Sequence, residues 1–216
     1  MSDAADIRGP IGERLERSKI RRLAAGRGRY TDDLSLPRMV HAAFVRSSYA
    51  HAQIIAIDIG AAAAAPGVVR VFTAEEINAA VEPWSGQAAH LAKLRSPPQY
   101  PMANGRALWQ GEPVALVVAE SRALAEDAAH LVAVECEALP AVTDPHAALE
   151  SGAPLIHPEL GSNLAFAHEV GRGDVGPAFA EAVYVCEQEF YFGRHTGVTL
   201  EPRSLIADYE PTLETL

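Results

Sequence analysis

The clearest pattern of apolar and polar positions lies between residues 110 and 132. Residues 114–119 are all apolar, which is typical of a strand buried on both faces, and Gly111 and Pro113 bound its start. Ser121 suits the N-cap of a following helix. Small apolar residues then recur at helical spacing, and they are Ala125, Ala128, Ala129 and Val132. The pattern predicts a β-α unit, which many unrelated functions use.

Similar patterns predict the other elements of the chain. Strands are expected at 39–46, 52–59, 68–72, 131–137, 163–170, 182–192 and 204–209. Short helices are expected at 61–65, 74–80, 145–149 and 177–182. Thr73 and Glu76 form a capping box before the second of these helices. Residues 47–51 would fit a hairpin or a bulged corner, and the overall mixture indicates an α+β fold.

Three parts are expected along the chain. Residues 1–17 form a basic N-terminal arm, residues 18–152 a first domain, and residues 153–216 a second domain that is incomplete. The boundary is placed at the glycine- and proline-containing stretch 151–154. Residues 82–108 are irregular and rich in proline, so they are either a functional loop or a surface excursion held by Trp84 and Trp109.

Charge restricts the classes of partner. The 216 residues include 18 basic and 28 acidic side chains, a formal net charge of −10 that disfavours nucleic-acid binding. Eight of the basic residues are concentrated between Arg8 and Arg29, either as a solvated arm or as an arm docked on an acidic partner subunit. No apolar segment approaches the length of a membrane span and no secretory signal is evident, so we expect a cytoplasmic protein. Cys136 and Cys186 are expected to be reduced core thiols.

Most sequence motifs with chemical meaning fail on inspection. Residues 171–176 match a dinucleotide fingerprint, but the following helix is too short for a parallel crossover, and Asp174 is better suited to cap that helix. The eight histidines include no pair three to five residues apart, so no local metal site is predicted. Glu112 and Glu201 each precede a proline in an apolar setting. Each is either an acid-base group with a raised pKa or a carboxylate that accepts backbone hydrogen bonds at a turn.

Five segments occur in an order that resembles a known family. They are 26–33 (GRGRYTDD), 46–52 (RSSYAHA), 66–69 (PGVV), 111–115 (GEPVA) and 126–129 (EDAA). Together they resemble the molybdenum hydroxylases, the family of xanthine dehydrogenase, aldehyde oxidase and aerobic carbon monoxide dehydrogenase. The large subunit of this family opens with an α/β-hammerhead domain. Residues 173–182 and 197–203 resemble the beginning of its next domain, which binds molybdopterin.

The resemblance implies an enzyme in which a molybdenum centre oxidises substrate and passes electrons to iron-sulfur and FAD subunits. In the family, the catalytic glutamate and the loops that hold the cofactor lie beyond the segment matched by Glu201-Pro202-Arg203. No catalytic, metal-binding or cofactor-binding residue can therefore be transferred to this chain, and Glu112, Glu201 and Arg203 are family-motif positions without an assigned role. We expect the molybdenum cofactor in the complete enzyme and no cofactor bound by this chain alone.

Three functions remain open from the sequence. The first is an N-terminal scaffold of a molybdenum hydroxylase large subunit, truncated or naturally split, inactive alone and completed by the remainder of the large subunit or by a complementary subunit. The second is a stand-alone interaction module that kept the fold without catalysis. The third is a complete small enzyme that uses Glu112 or Glu201. Apolar residues after 182 also predict self-association, as a homo-oligomer, or a partner at that surface.

Overall fold

The structure is a computed structural model that describes residues 19–88, 90–91, 93–199 and 201–216. The predicted basic arm at 1–17 lies outside the described residues. The chain divides into two compact units, of which one contains residues 38–186. The other brings together the described residues before position 38 and residues 187–216.

The first sheet of the 38–186 unit is built around the predicted central strand. Strand β5 (Pro113–Ala119) pairs antiparallel with β1 (His41–Arg46) on one side and with β3 (Val68–Thr73) on the other. One face of β5 is fully buried, whereas Leu116 and Val118 on the opposite face are only half-buried. The prediction of a strand buried on both faces is therefore wrong at Leu116 and Val118, although Val114 on the same face is fully buried.

Helices α2 (Gly60–Ala63) and α4 (Arg122–Ala129) cover the buried face of this sheet. Ser121 caps α4 as predicted, because its side chain accepts a hydrogen bond from the backbone N–H of Leu124 at 3.3 Å. Small side chains let α4 approach the sheet closely. The resulting core consists of Ala62, Val71, Ala115, Val117, Ala128 and Val132.

The second sheet has the strand order β4 (Arg106–Ala107), β2 (Ala52–Asp58) and β6 (Ala133–Ala138), again antiparallel. Strands β1 and β2 are consecutive in sequence but lie in different sheets, so the hairpin considered for residues 47–51 is wrong. The chain turns a corner there, and the register shift between Val45 and Arg46 in the β1–β5 pair marks an irregularity at its start. Helix α3 (Ala74–Ala80) begins with the predicted Thr73–Glu76 capping box.

The short elements are α1 (Ile20–Ala24), α5 (Gly176–Glu181) and three 3₁₀ turns at Thr31–Asp33, Ala147–Leu149 and Pro158–Leu160. Asp174 does not occupy the N-cap of α5, which is Val175. Its carboxylate instead accepts a hydrogen bond from the backbone N–H of Gly176 at 2.9 Å. In the described part of the chain, no helix combines the length and apolarity needed to cross a bilayer.

The strands predicted at 163–170, 182–192 and 204–209 are wrong for this structure. The described residues of these ranges contain no strand, and the nearest pairing is an isolated bridge between Glu210 and Thr215. An apolar run adopts strand structure only when a neighbouring strand can take its backbone hydrogen bonds. The prediction of a core thiol is also wrong for Cys186, which is exposed, whereas Cys136 on β6 is half-buried and burial raises the pKa of its thiol.

Candidate functional site

Glu112 lies in the turn that leads into β5 and is 9% exposed. Its Oε2 accepts a hydrogen bond from the backbone N–H of Leu108 at 2.6 Å, and its own N–H donates to the carbonyl of Trp109 at 3.2 Å. Gly111 permits this tight turn because its φ is +92°, in the left-handed region that favours glycine. The carboxylate therefore closes the five-residue turn 108–112 with a side-chain-to-backbone hydrogen bond.

Opposing effects act on the Glu112 carboxyl. Burial raises its pKa because the charged form loses hydration, while the backbone amides of Leu108 and Trp109 and the charge of His157 act to lower it, and the net pKa is raised. Both properties considered from the sequence, a raised pKa and a backbone hydrogen bond, are thus present together. A general acid or base must reach a reacting atom, and an enclosed turn carboxylate has little access to one.

A short series of charged groups extends from Glu112 to the surface. His157 acts on Glu112 electrostatically, and its Nδ1 lies 3.2 Å from Oε1 of Glu159. The pKa of Glu159 is lowered mainly by a hydrogen bond from its own backbone amide, with smaller contributions from His157 and Arg106. Among the described residues, no group of three or more His, Cys, Asp or Glu side chains is arranged to hold a metal ion. The series is therefore an electrostatic interaction of His157 with Glu159 and, more weakly, with the turn around Glu112.

The corner between the two sheets contains the residues of the 46–52 motif. Arg46 donates from Nη1 to the carbonyl of Gly111 at 2.8 Å, and Ser47 exchanges backbone hydrogen bonds with Gly111 and Glu112 at 2.8 Å each. His51 is 6% exposed, and its Nδ1 lies 2.8 Å from the carbonyl of Pro140. The motif residues thus join the corner to the start of β5 and to the segment after β6, which is a structural role.

Glu201 and Arg203 lie in the other unit, and both are exposed. Oε1 of Glu201 accepts a hydrogen bond from the backbone N–H of Thr31 at 3.0 Å and a longer one from the Thr31 hydroxyl at 3.4 Å. Thr31 belongs to the 26–33 motif, so this contact joins the first and last motifs of the resemblance. Among the residues that the structure describes, Glu201 and Arg203 form neither a hydrogen bond nor an ion pair with each other.

The described residues beyond 163 do not form an enclosed site. Every described residue from 164 to 216 is exposed, apart from half-buried Ile206. A cofactor of pterin size needs a concave surface with several polar groups that converge on it. The described residues therefore do not fit a molybdopterin site by themselves.

Sequence reasoning missed His157, Arg106 and Thr31. None of them belongs to a recognised catalytic or metal-binding spacing, and each acquires its contact through residues far away in sequence. The one sequence signal was Thr31 itself, which lies inside the 26–33 motif.

Two family models match the chain. Residues 25–140 match the a/b hammerhead domain of aldehyde oxidase and xanthine dehydrogenase. Residues 156–216 match the molybdopterin cofactor-binding domain. The first match alone covers more than half of the chain.

Curated relatives support the same assignment. The chain is 39% identical over 213 residues to the nicotine 6-hydroxylase large subunit of Paenarthrobacter nicotinovorans, covering 97% of this chain and 25% of that protein. It is 33% identical over 213 residues to the carbon monoxide dehydrogenase large chain of Afipia carboxidovorans, covering 93% of this chain and 26% of that protein. The chain thus spans about a quarter of the length of these relatives.

A solved structure extends the similarity to three dimensions. The crystal structure of quinoline 2-oxidoreductase from Pseudomonas putida 86 matches with a TM-score of 0.71 and 39% identity, over 79% of this chain and 21% of that chain. The fold is therefore an α/β-hammerhead domain followed by the beginning of a molybdopterin-binding domain. The chain belongs to the xanthine dehydrogenase, aldehyde oxidase and carbon monoxide dehydrogenase family of molybdenum hydroxylase large subunits.

Proposed function

We propose that this chain is the N-terminal scaffold of a molybdenum hydroxylase large subunit, which folds around its hammerhead domain and is catalytically silent alone. The observation that carries the proposal is the contrast between the two matched regions. The hammerhead region has a closed core at Val71, Val117 and Ala128, whereas the described residues of the cofactor-domain match are exposed after position 163. A redox centre requires an enclosed site, and the described residues do not supply one.

The boundary between the two functional parts is proposed at residues 152 and 153, with the hammerhead domain from 18 to 152. Asn163 organises the loop in which this boundary lies. Its Nδ2 donates to the carbonyls of Ala148 at 3.0 Å and Pro154 at 2.9 Å, and its Oδ1 accepts from the N–H of Ile156 at 3.2 Å. These bonds join the end of the first domain to the first residues of the cofactor-domain match.

The proposed partners follow from the exposed apolar side chains of the second region. Val183, Tyr184, Tyr191 and Phe192 are each more than 80% exposed, and exposed groups of this size are typical of interfaces. We propose that the remainder of a large subunit covers this surface, and that iron-sulfur and FAD subunits complete a cytoplasmic enzyme. Two relatives are named as a large subunit and as the gamma subunit of a dehydrogenase complex, which supports an assembly of several subunits.

Molybdenum content and turnover of the purified chain test the proposed silence. We expect the 216-residue chain, expressed in a host that makes the molybdenum cofactor, to contain no more molybdenum than an unrelated control protein and to oxidise neither aldehydes nor heteroaromatic compounds. Near-stoichiometric molybdenum, or turnover that is lost in Glu112→Gln or Glu201→Gln, would instead support a complete small enzyme.

A chimera tests the scaffold function. The chain replaces the aligned quarter of the nicotine 6-hydroxylase large subunit, to which it is 39% identical. We expect this chimera to bind molybdenum and to assemble with the subunits of that enzyme. The matched control carries Val117→Asp, which buries an unpaired charge in the hammerhead core and should prevent assembly. If the chimera fails while the parent subunit assembles in the same host, a stand-alone interaction module becomes the better account.

A further inference from the structure

One long-range contact joins the two sequence segments of the smaller unit. Glu201 and Thr31 are 170 residues apart, and Oε1 of Glu201 lies 3.0 Å from the backbone nitrogen of Thr31. The described residues before 38 and residues 187–216 together form one compact unit, in agreement with this contact. In sequence, the 38–186 unit therefore lies between the two segments that the contact joins.

The local geometry explains why the Thr31 N–H is available. Thr31 is the first residue of the 3₁₀ turn Thr31–Asp33, and the first N–H groups of a helical turn have no partner within it. The turn closes through other groups: Oδ2 of Asp33 accepts from the N–H of Tyr30 at 2.9 Å, and the carbonyl of Thr31 accepts from the N–H of Leu34 at 3.1 Å. The N–H of Thr31 is left for an external acceptor.

Glu201 is itself held in place. The Thr199 hydroxyl donates to the backbone carbonyl of Glu201 at 2.9 Å, which fixes the backbone from which the carboxylate extends. The same Oε1 that accepts the Thr31 N–H also lies 3.4 Å from the Thr31 hydroxyl. A negatively charged acceptor at the start of a 3₁₀ turn faces backbone N–H dipoles, so the arrangement is electrostatically favourable.

We infer that the carboxylate of Glu201 holds the 26–33 segment against residues 187–216. We call its two hydrogen bonds to Thr31 the clasp. The role of Glu201 in the Glu-Pro-Arg motif is chain closure rather than proton transfer. The clasp involves only residues of this chain, so its test does not depend on whether the proposed function is correct. One consequence is that the N-terminal segment reaches its final contacts only after the chain has been made as far as position 201.

Amide hydrogen exchange at Thr31 in the full chain tests the clasp. Glu201→Ala removes the acceptor, and we expect the Thr31 amide to exchange about 3- to 10-fold faster, the range given by the net worth of one hydrogen bond. Glu201→Asp should behave like Glu201→Ala, because its side chain is one methylene too short. Glu201→Gln keeps an acceptor oxygen on a side chain of the same length and should restore most of the protection. Comparison of the three variants therefore distinguishes the effect of side-chain length from that of charge.

Trypsin cleavage after Arg29 gives a second readout. Cleavage there follows the fraction of molecules in which the segment is released, so Glu201→Ala should raise the rate by a similar factor. Thr31→Val keeps the amide and loses only the longer hydroxyl contact, so its effect should be smaller than that of Glu201→Ala. Glu214→Ala in the same unit is the matched control and should leave both readouts within about twofold of the wild type.

Two results would overturn the inference. One is a Glu201→Ala variant whose Thr31 exchange and Arg29 cleavage both stay within about twofold of the wild type. The other is a Glu214→Ala variant that changes both readouts as much as Glu201→Ala does. Either result would mean that the carboxylate of Glu201 does not hold the segment.

Discussion

Residues 114–119 are entirely apolar and residues 183–192 contain two apolar runs around Glu187-Gln188-Glu189, yet the first stretch is largely buried and the second is exposed. Val114 and Val117 are completely buried in β5, which pairs with a strand on each edge, and Val117 packs in the core with Ala128 of helix α4. Val183 and Phe192 are 86% and 85% exposed, and no strand includes them. The difference arises from what lies beside each run, because β5 has neighbours on both edges within the chain.

This comparison shows what the hammerhead region contributes. It supplies its own strand partners and its own covering helices, so its apolar residues can be buried without help. The described part of the cofactor-domain match carries apolar residues whose partners are not among the described residues. This difference is the observation on which the proposed scaffold function rests.

Truncation of one valine in each region should give the largest difference in the free energy of unfolding. Val117→Ala removes two buried methyl groups from the core, and we expect the free energy of unfolding to fall by about 2–3 kcal/mol. Val183→Ala should change it by less than about 0.5 kcal/mol, because the side chain is already exposed. Trp84 and Trp109 are the chain's two tryptophans and both lie in the 38–186 unit, so denaturant titration followed by their fluorescence reports on this unit. Equal effects of the two variants would contradict the comparison.

Removal of a helix-start hydrogen bond should give an intermediate effect. Ser121→Ala deprives the Leu124 N–H of its acceptor at the start of α4, and a loss of about 1 kcal/mol is expected. Asp174 accepts a similar bond from Gly176 at the start of α5, but α5 has no buried residue. Asp174→Ala should therefore leave the denaturation midpoint of the 38–186 unit unchanged. A larger effect of Asp174→Ala would show that α5 is packed.

The smallest expected effect is on the pH dependence of stability, which should differ between a buried carboxylate and an exposed one. Burial raises the pKa of Glu112, so the folded state holds this proton more tightly than the unfolded chain does. Its contribution to stability is present at low pH and is lost as pH rises from the ordinary carboxyl range through the raised pKa. Glu112→Gln has no ionisable group at this position and so does not lose stability in this way as pH rises. The difference in free energy of unfolding between the wild type and Glu112→Gln should therefore be smaller at pH 7 than at about pH 3.5.

Glu76 is the matched control for this pH effect and should show the opposite sign. A hydrogen bond from the backbone of Thr73 is the main cause that lowers its pKa, with Arg70 adding to the effect. Its contribution is present above the ordinary carboxyl pKa and is lost as pH falls through the lowered value. The deficit of Glu76→Gln should therefore be larger at pH 7 than at about pH 3.5. The same sign for both variants in urea titrations would contradict the role assigned to burial.

Local elements of the hammerhead region were predictable because their signals are local. The Thr73–Glu76 capping box, the Ser121 cap and the extent of β5 follow from neighbouring residues and were confirmed. The placement of β1 and β2 in separate sheets was not predictable in this way. It depends on hydrogen bonds from Arg46 and Ser47 to residues more than sixty positions away.

The candidate site was predictable only as positions, not as contacts. The motifs single out Glu112, Glu201 and Arg203 without assigning them a role, and their choice as site positions stays a prediction. The partners of the first two, Leu108 and Thr31, are set by a turn and by chain closure. The strands predicted from residue 163 onward were wrong because an apolar pattern indicates that a segment could form a strand. It does not indicate whether a neighbouring strand is present to pair with it.

Site-resolved amide hydrogen exchange on the full 216-residue chain tests the central claim most directly. The amides of β5 and α4 should exchange only through global unfolding of the 38–186 unit, whereas those of residues 183–192 should exchange at nearly the rate of an unstructured peptide. Protection of residues 183–192 equal to that of β5 would contradict the account, because this region would then possess strand partners of its own.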